Sequence, residues 1–389
     1  MITTTKTVSV PTTVEVPVTT TVTETGHVTE TPTVTSTVTE TSTVTETAAE
    51  AKTITITDAY GHQVTLNLPI ERVAYLHPTI AEALVIINAW DRVISIDNYT
   101  IDTVLFPGIA DMPVLTSTES GTLDYEAIME LRPDVLLVLP AAGYIDVKAA
   151  IAALEPEIPV ITVFDTNDAE TWTKGISLLG AIMQKEDEAQ EFIEFCQGIE
   201  DNLSSKTAML DENERPRVFL RSSGWSVDQI STFSNEMAFW GKLMTMTGAV
   251  NIAADLPSMG GWVQDLDMEW LMTQEYEYIL AQVWSEHYPG VIGLDIQNDA
   301  AAQVLQNEML QMPVFSGSQA VASSNLYLME SGLLTSLRYF ILAEYAAKTF
   351  HPDLFAELDP RATLQDYLTR FIRIDYDVSE QGIYYYPEP

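Results

Sequence analysis

Seven side chains suited to holding a molecule stand at or beside polar loops that follow short apolar runs: His77, Tyr99, Tyr144, Arg221, Trp225, Trp262 and Trp284. Aromatic rings offer broad apolar faces with a few polar edges, which suits stacking on a flat guest. Arg221 adds a planar fork of donors that matches a carboxylate or phosphate. Asp97, Asp165, Ser223 and Ser331 fall at the ends of similar runs. A core or rim position is the alternative for each ring, a surface ion pair for Arg221, and capping of the next helix for His77.

Bond-making sets are not assembled. The chain has no G-x-S-x-G, no H-E-x-x-H and no phosphate-binding loop. Asp265, Asp267 and Glu269 are close in sequence, but their spacing splays them on a helix start, where they are expected to cap. No metal-ligand set and no cofactor of the protein's own is expected. Cys196, the single cysteine, lies on an apolar stripe with Ala189, Phe192, Ile193, Ile199 and Leu203 and reads as a small buried hydrophobe.

These residues need a frame. From 53 to 164, short apolar runs alternate with helical stretches, beginning with a hairpin (KTITIT, a D-A-Y-G turn, QVTLNL). Strands are expected at 73–76, 93–96, 135–139 and 160–164, and helices at 80–88 and 124–131, with Thr79 as a cap for the first. A charged helical stretch, 186–210, leads to a second run of the same kind. That run opens at 218–220 and has a strand at 278–283 and helices at 235–247, 266–273 and 333–349. Gly248 reads as a helix stop and the closing Tyr384-Tyr385-Tyr386 as a packed strap. The pattern implies an α/β protein of two Rossmann-like lobes with mostly parallel sheets, divided as 51–185, 186–210 and 211–389. Ligands of such sheets sit outside the carboxyl ends of the strands, so two facing lobes bring both loop sets to one cleft.

The order of short signatures resembles the iron-siderophore, haem and cobalamin class of ABC-transporter solute-binding proteins. Asp58 to Gly61, Glu71-Arg72-Val73, Pro78 to Glu82 and Asp91-Arg92-Val93 match the opening of that class. LDYEAIMELRPDVLLVLP (123–140) and PVITV (159–163) match its next signatures, and the likeness covers roughly 53–355. Two positions depart: His77 replaces the small residue usual before the first helix, and Trp90 stands where a small residue is common. The resemblance implies lobes joined by one long helix, which limits hinge motion. It also implies capture of a metal chelate carrying iron or cobalt (ferric siderophore, corrinoid or haem) by a monomer that delivers it to a membrane permease. One exposed acid per lobe would dock there, Glu82 at the family position and Glu236 as its second-lobe counterpart. A chelatase-like enzyme on the same scaffold and a cell-surface adhesion module are the alternatives.

Charge and composition agree with an exterior protein. The chain has 56 Asp+Glu against 18 Lys+Arg, net −38, which disfavours nucleic acid and fits a solubility or salt adaptation. No apolar run is long enough to span a membrane. The first 50 residues are reiterated Thr, Val, Glu and Pro and read as a disordered surface linker that tethers the lobes outside the cell, with an anchor or leader beyond the given sequence. Sequons at Asn98 and Asn202 are compatible with that location.

Overall fold

The computed structural model describes residues 3–5, 18–22, 38–42 and 52–389, the last span except 107, 116–122, 141–144, 166–167, 169 and 237. Within 1–50, read from sequence as a disordered linker, the structure has three short strands: Thr3–Thr5 pairs antiparallel with Lys52–Thr57, and Val18–Val22 pairs with Val38–Ser42. The rest of that stretch, and Tyr144, lie outside the described residues.

The Lys52–Thr57 and Gln63–Leu68 strands form the expected antiparallel hairpin, with Ile54 facing Leu66 and Ile56 facing Val64 across the ladder. Alternation buries one side, Ile54, Ile56, Val64 and Leu66, and leaves Gln63, Thr65 and Asn67 exposed and Thr53, Thr55 and Thr57 half-buried on the other. The turn is tied down by Asp58, whose carboxylate accepts from the Tyr60, His62 and Thr162 amides. The hairpin therefore lies against the end of the Val160–Thr162 strand.

The first lobe has a three-stranded parallel sheet in the order Val73–Leu76, Val135–Val138, Val160–Thr162. Every residue of these strands is buried, as expected for a sheet covered on both faces. The expected strand at 93–96, which follows a 3-10 turn at Trp90–Arg92, is reduced to isolated bridges, Val73 to Val93 and Ile96 to Val114.

The second lobe has a seven-stranded sheet. Its centre, Arg217–Arg221, Tyr278–Val283 and Leu326–Glu330, is parallel, and short antiparallel strands close both edges. One edge strand is Tyr385–Tyr386, so the aromatic close of the chain is a strap, as the sequence suggests. The Ala238–Met246 helix gives way to Gly248 at φ +65, a conformation glycine adopts without Cβ strain. The expected 333–349 helix is two pieces, Ser331–Thr335 and Tyr339–Phe350.

The Glu186–Thr207 helix links the lobes and spans about 33 Å at ~1.5 Å per residue. Three acids in its first turn and Lys206 in its last suit the helix dipole. Its apolar stripe, including Cys196, is buried, and burial pushes the Cys196 thiol up. Phe192 packs on Phe340 and Phe371, with ring centres 6.2 and 5.1 Å apart. Phe371 belongs to a carboxyl-terminal segment that returns to the first lobe. There Arg373 donates to the Val85 and Ile86 carbonyls, which end the Pro78–Ile86 helix. Residues 79–86 of that helix are all buried in consequence.

Candidate functional site

A loop of the first lobe meets a strand-end loop of the second at Tyr99 and Trp284. In the first lobe, the Val73–Leu76 strand runs into His77, which stands at φ 103, a left-handed value rare for a side chain with Cβ. Its amide donates to Asp97 at 2.8 Å, and its Nδ1 accepts from the Thr79 amide at 3.2 Å. The helix cap is thus His77, not Thr79. Burial lowers the His77 pKa to about 4, against an opposing pull from Asp97, so the ring is neutral near pH 7. Asp97 is fully buried, and its carboxylate also accepts from the Thr100 amide and hydroxyl. That turn carries Tyr99 outward.

Tyr99 crosses to the other lobe. Its ring centre lies 6.2 Å from that of Trp284, at the end of the Tyr278–Val283 strand. Trp284 lies 4.5 Å from His287, and His287 lies 3.9 Å from Trp225. Four rings from three loops form a continuous aromatic wall bridging the lobes. Ser223 is its polar joint: the hydroxyl accepts from the Trp284 amide at 3.2 Å and lies 3.5 Å from His287 Nδ1. Gln282 accepts from the Ser223 amide and donates to Ser331 at 2.9 Å, so Ser223 and Ser331 are held at one strand end. Burial lowers the His287 pKa, which favours the uncharged ring. Trp225 is 70% exposed and Tyr99 39%, so both offer ring face to a guest.

Trp262 is also exposed, with its indole N–H donating to Ser231 at 3.1 Å, on the edge strand beside Thr232–Phe233. It has no ring contact with the four-membered wall. Asp267 caps the Met268–Thr273 helix by accepting from the Glu269 and Trp270 amides.

Two expectations are corrected. Arg221 is 0% exposed, and its guanidinium donates to the backbone carbonyls of Ser222, Val227 and Gln229. It shapes the loop that carries Trp225 and does not reach toward a guest. Glu82 is 2% exposed and cannot be a surface docking acid. The returning carboxyl-terminal segment covers it: Arg338 pairs with it at 2.9 Å and the Tyr367 hydroxyl donates to it. Glu236, by contrast, is exposed, with Ser258 donating to its carboxylate. His287 is the residue that pattern reading passed over. Its signal was the turn Trp284-x-x-His287, whose amide returns to the Trp284 carbonyl and folds one ring on the other.

A hollow of 660 Å³ lies on the flank of the first lobe, lined by Thr57, Asp58, Asp168, Lys174, Gln190 and Gln197 among others. No residue of the aromatic wall lines it. Among the described residues there is no cluster of three or more metal-ligating side chains, and no helix is long and apolar enough to cross a membrane.

Residues 73–333 match the family model described as periplasmic binding protein. The chain belongs to the periplasmic binding protein family. Members of this family bind solutes and are not enzymes. The crystal structure of the TroA-like periplasmic binding protein FepB from Veillonella parvula superposes with a TM-score of 0.70 at 23% identity, covering 85% of this chain and 98% of that one. MolA of Haemophilus influenzae, a periplasmic binding protein bound to molybdate, gives 0.66 at 19% identity, covering 83% and 99%. An uncharacterized ABC transporter substrate-binding lipoprotein of Bacillus subtilis, YvrC, is 23% identical over 56% of this chain. That match takes in 66% of the relative, just under two thirds of its length. The two-lobed α/β architecture is the one these periplasmic binding proteins share.

Proposed function

We propose that this periplasmic binding protein works outside the cell, capturing a metal chelate between its lobes and delivering it to the permease of an ABC importer. The observation that carries the reading is the wall Tyr99–Trp284–His287–Trp225, built from loops of both lobes. Such a wall presents stacked apolar faces with few polar edges, the complement of a chelate that hides its metal inside an organic shell. His77 stands at the first-lobe end of the cleft as a further contact, and Trp262 on the rim as an outer one. The long linker helix supports a cleft that is largely preformed, so capture asks for small lobe movement. The Thr-rich amino-terminal stretch supports a tethered exterior location. Glu236 is the proposed docking acid of the second lobe.

Titration of intrinsic tryptophan fluorescence with ferric siderophores, haem and cobalamin tests this. Saturable quenching by at least one chelate, weakened in Trp284→Ala, is the expected result. A protein whose emission ignores the whole panel is not a chelate carrier.

A further inference from the structure

We infer, on the basis of the chelate-capture reading, that the solute is an uncharged or cationic complex and that the cleft rejects polyanionic chelates. The argument is an account of where the positive charge goes. Of the 18 Lys and Arg residues, Lys6 alone falls outside the described residues; the loops at 116–122 and 141–144 contain neither type.

Each described arginine other than Arg132 already engages protein oxygens through its guanidinium. Arg132 sits at the amino end of a strand, away from the cleft. The two arginines nearest the site are both buried, and Arg221 spends its two terminal nitrogens on backbone while its Nε has no partner among the described residues. Arg221 holds loop carbonyls, and Arg338 is buried against Glu82 and Glu330. Lys174 is paired with Asp168, and Lys242 with Glu170 and Glu200. Lys185 pairs with Glu188, Lys206 with Glu357, and Lys348 donates to the Leu358 carbonyl. Lys52, at the start of the hairpin, and Lys148, on the first turn of the Val147–Leu154 helix, are exposed, so solvent and salt screen them.

Both rings that could carry a proton at the wall are held neutral. His77 uses Nδ1 as an acceptor, and His287 is packed between two indoles. What remains to meet a guest is ring face, hydroxyl and amide. Around this neutral lining lies a protein of net −38, whose field attracts cations and repels anions. A polyanion would enter a like-signed field and find no donor cation inside, which costs it affinity twice over.

The test uses the full chain and four probes of similar bulk. They are an uncharged ferric trishydroxamate, a cationic ferric trishydroxamate, a ferric triscatecholate (a multiply charged anion) and haem with its two propionates. Tryptophan quenching is titrated with each at low and at high salt. The expected outcome is a preference on the order of 100-fold or more for a trishydroxamate over the triscatecholate and haem at low salt. Added salt should weaken the cationic probe, leave the uncharged one unchanged and narrow the gap to the anions. Triscatecholate or haem binding as tightly as the trishydroxamates at low salt overturns the inference and leaves chelate capture standing. Quenching by none of the four, nor by cobalamin, removes chelate capture itself.

Discussion

Arg338 Nε sits 2.9 Å from Glu82 Oε1, and the two residues belong to different lobes. Both are almost wholly buried, and Glu330 stands on the far side of the guanidinium at 3.9 Å. Removing one partner strands a charge in the interior. Glu82→Ala should therefore lower unfolding stability in urea by ~3–5 kcal/mol. A loss below about 0.5 kcal/mol would mean that the pair does not hold the lobes together.

Tyr99 reaches across the cleft, yet much of its ring is open to solvent. Tyr99→Ala should change stability by no more than about 0.5 kcal/mol. The same variant should weaken the quenching chelate roughly 10-fold, and Trp284→Ala roughly 30-fold, as expected for an anchor at the centre of a contact. Calorimetric titration of both variants beside thermal unfolding checks the separation; equal affinities in parent and variants would remove the wall from the site.

His77 gives a pH dependence with a definite sign. Its pKa in the fold is about 4, below the ordinary histidine value of ~6.5, so between those values the unfolded chain binds more protons. The stability that the neutral ring allows is complete above pH ~6.5 and is lost as pH falls toward 4, by roughly 2–3 kcal/mol at most. His77→Asn keeps a residue that tolerates positive φ and removes the titration. Urea unfolding at pH 7 and pH 4.5 should show a smaller drop for the variant than for the parent. Identical drops would place the titration elsewhere.

Net charge sets a salt response. With −38 spread over one chain, self-repulsion opposes the compact state, and counter-ions relieve it. The unfolding midpoint should climb with sodium chloride from low to molar concentration. A midpoint that is flat or falling would show that the acids are locally compensated.

Glu236 is exposed at the entry to the Ala238–Met246 helix, clear of the aromatic wall. Glu236→Arg should leave chelate affinity within about twofold while reducing permease-dependent uptake in reconstituted vesicles. Undiminished uptake would take this carboxylate out of the docking surface.

The parts of the molecule that could be read in advance are those set by local pattern. VAYL and VLLV are unbroken apolar runs, and YILAQV is interrupted only by Gln282; a strand buried on both faces leaves no other trace. Trp284 was legible because it follows such a run, and strand ends are where loops converge. Tyr99 was selected by the same rule, although the stretch before it forms only isolated bridges. Arg221 satisfied the same rule, but its position said nothing of the loop carbonyls that would claim it. Glu82 failed for a longer-range reason: its burial depends on Arg338 and Tyr367, more than two hundred residues away. His287 was hidden because a histidine in a loop has no periodicity; only the turn from Trp284 gives it a place.

The segment bearing Tyr367 and Arg373 completes the Pro78–Ile86 helix of the opposite lobe. Residues made 285 positions later than Glu82 thus finish a helix of the first lobe. The first lobe cannot seal its own interior while it is being made, and deleting the segment that bears Tyr367 and Arg373 would injure a helix remote from the cut in sequence.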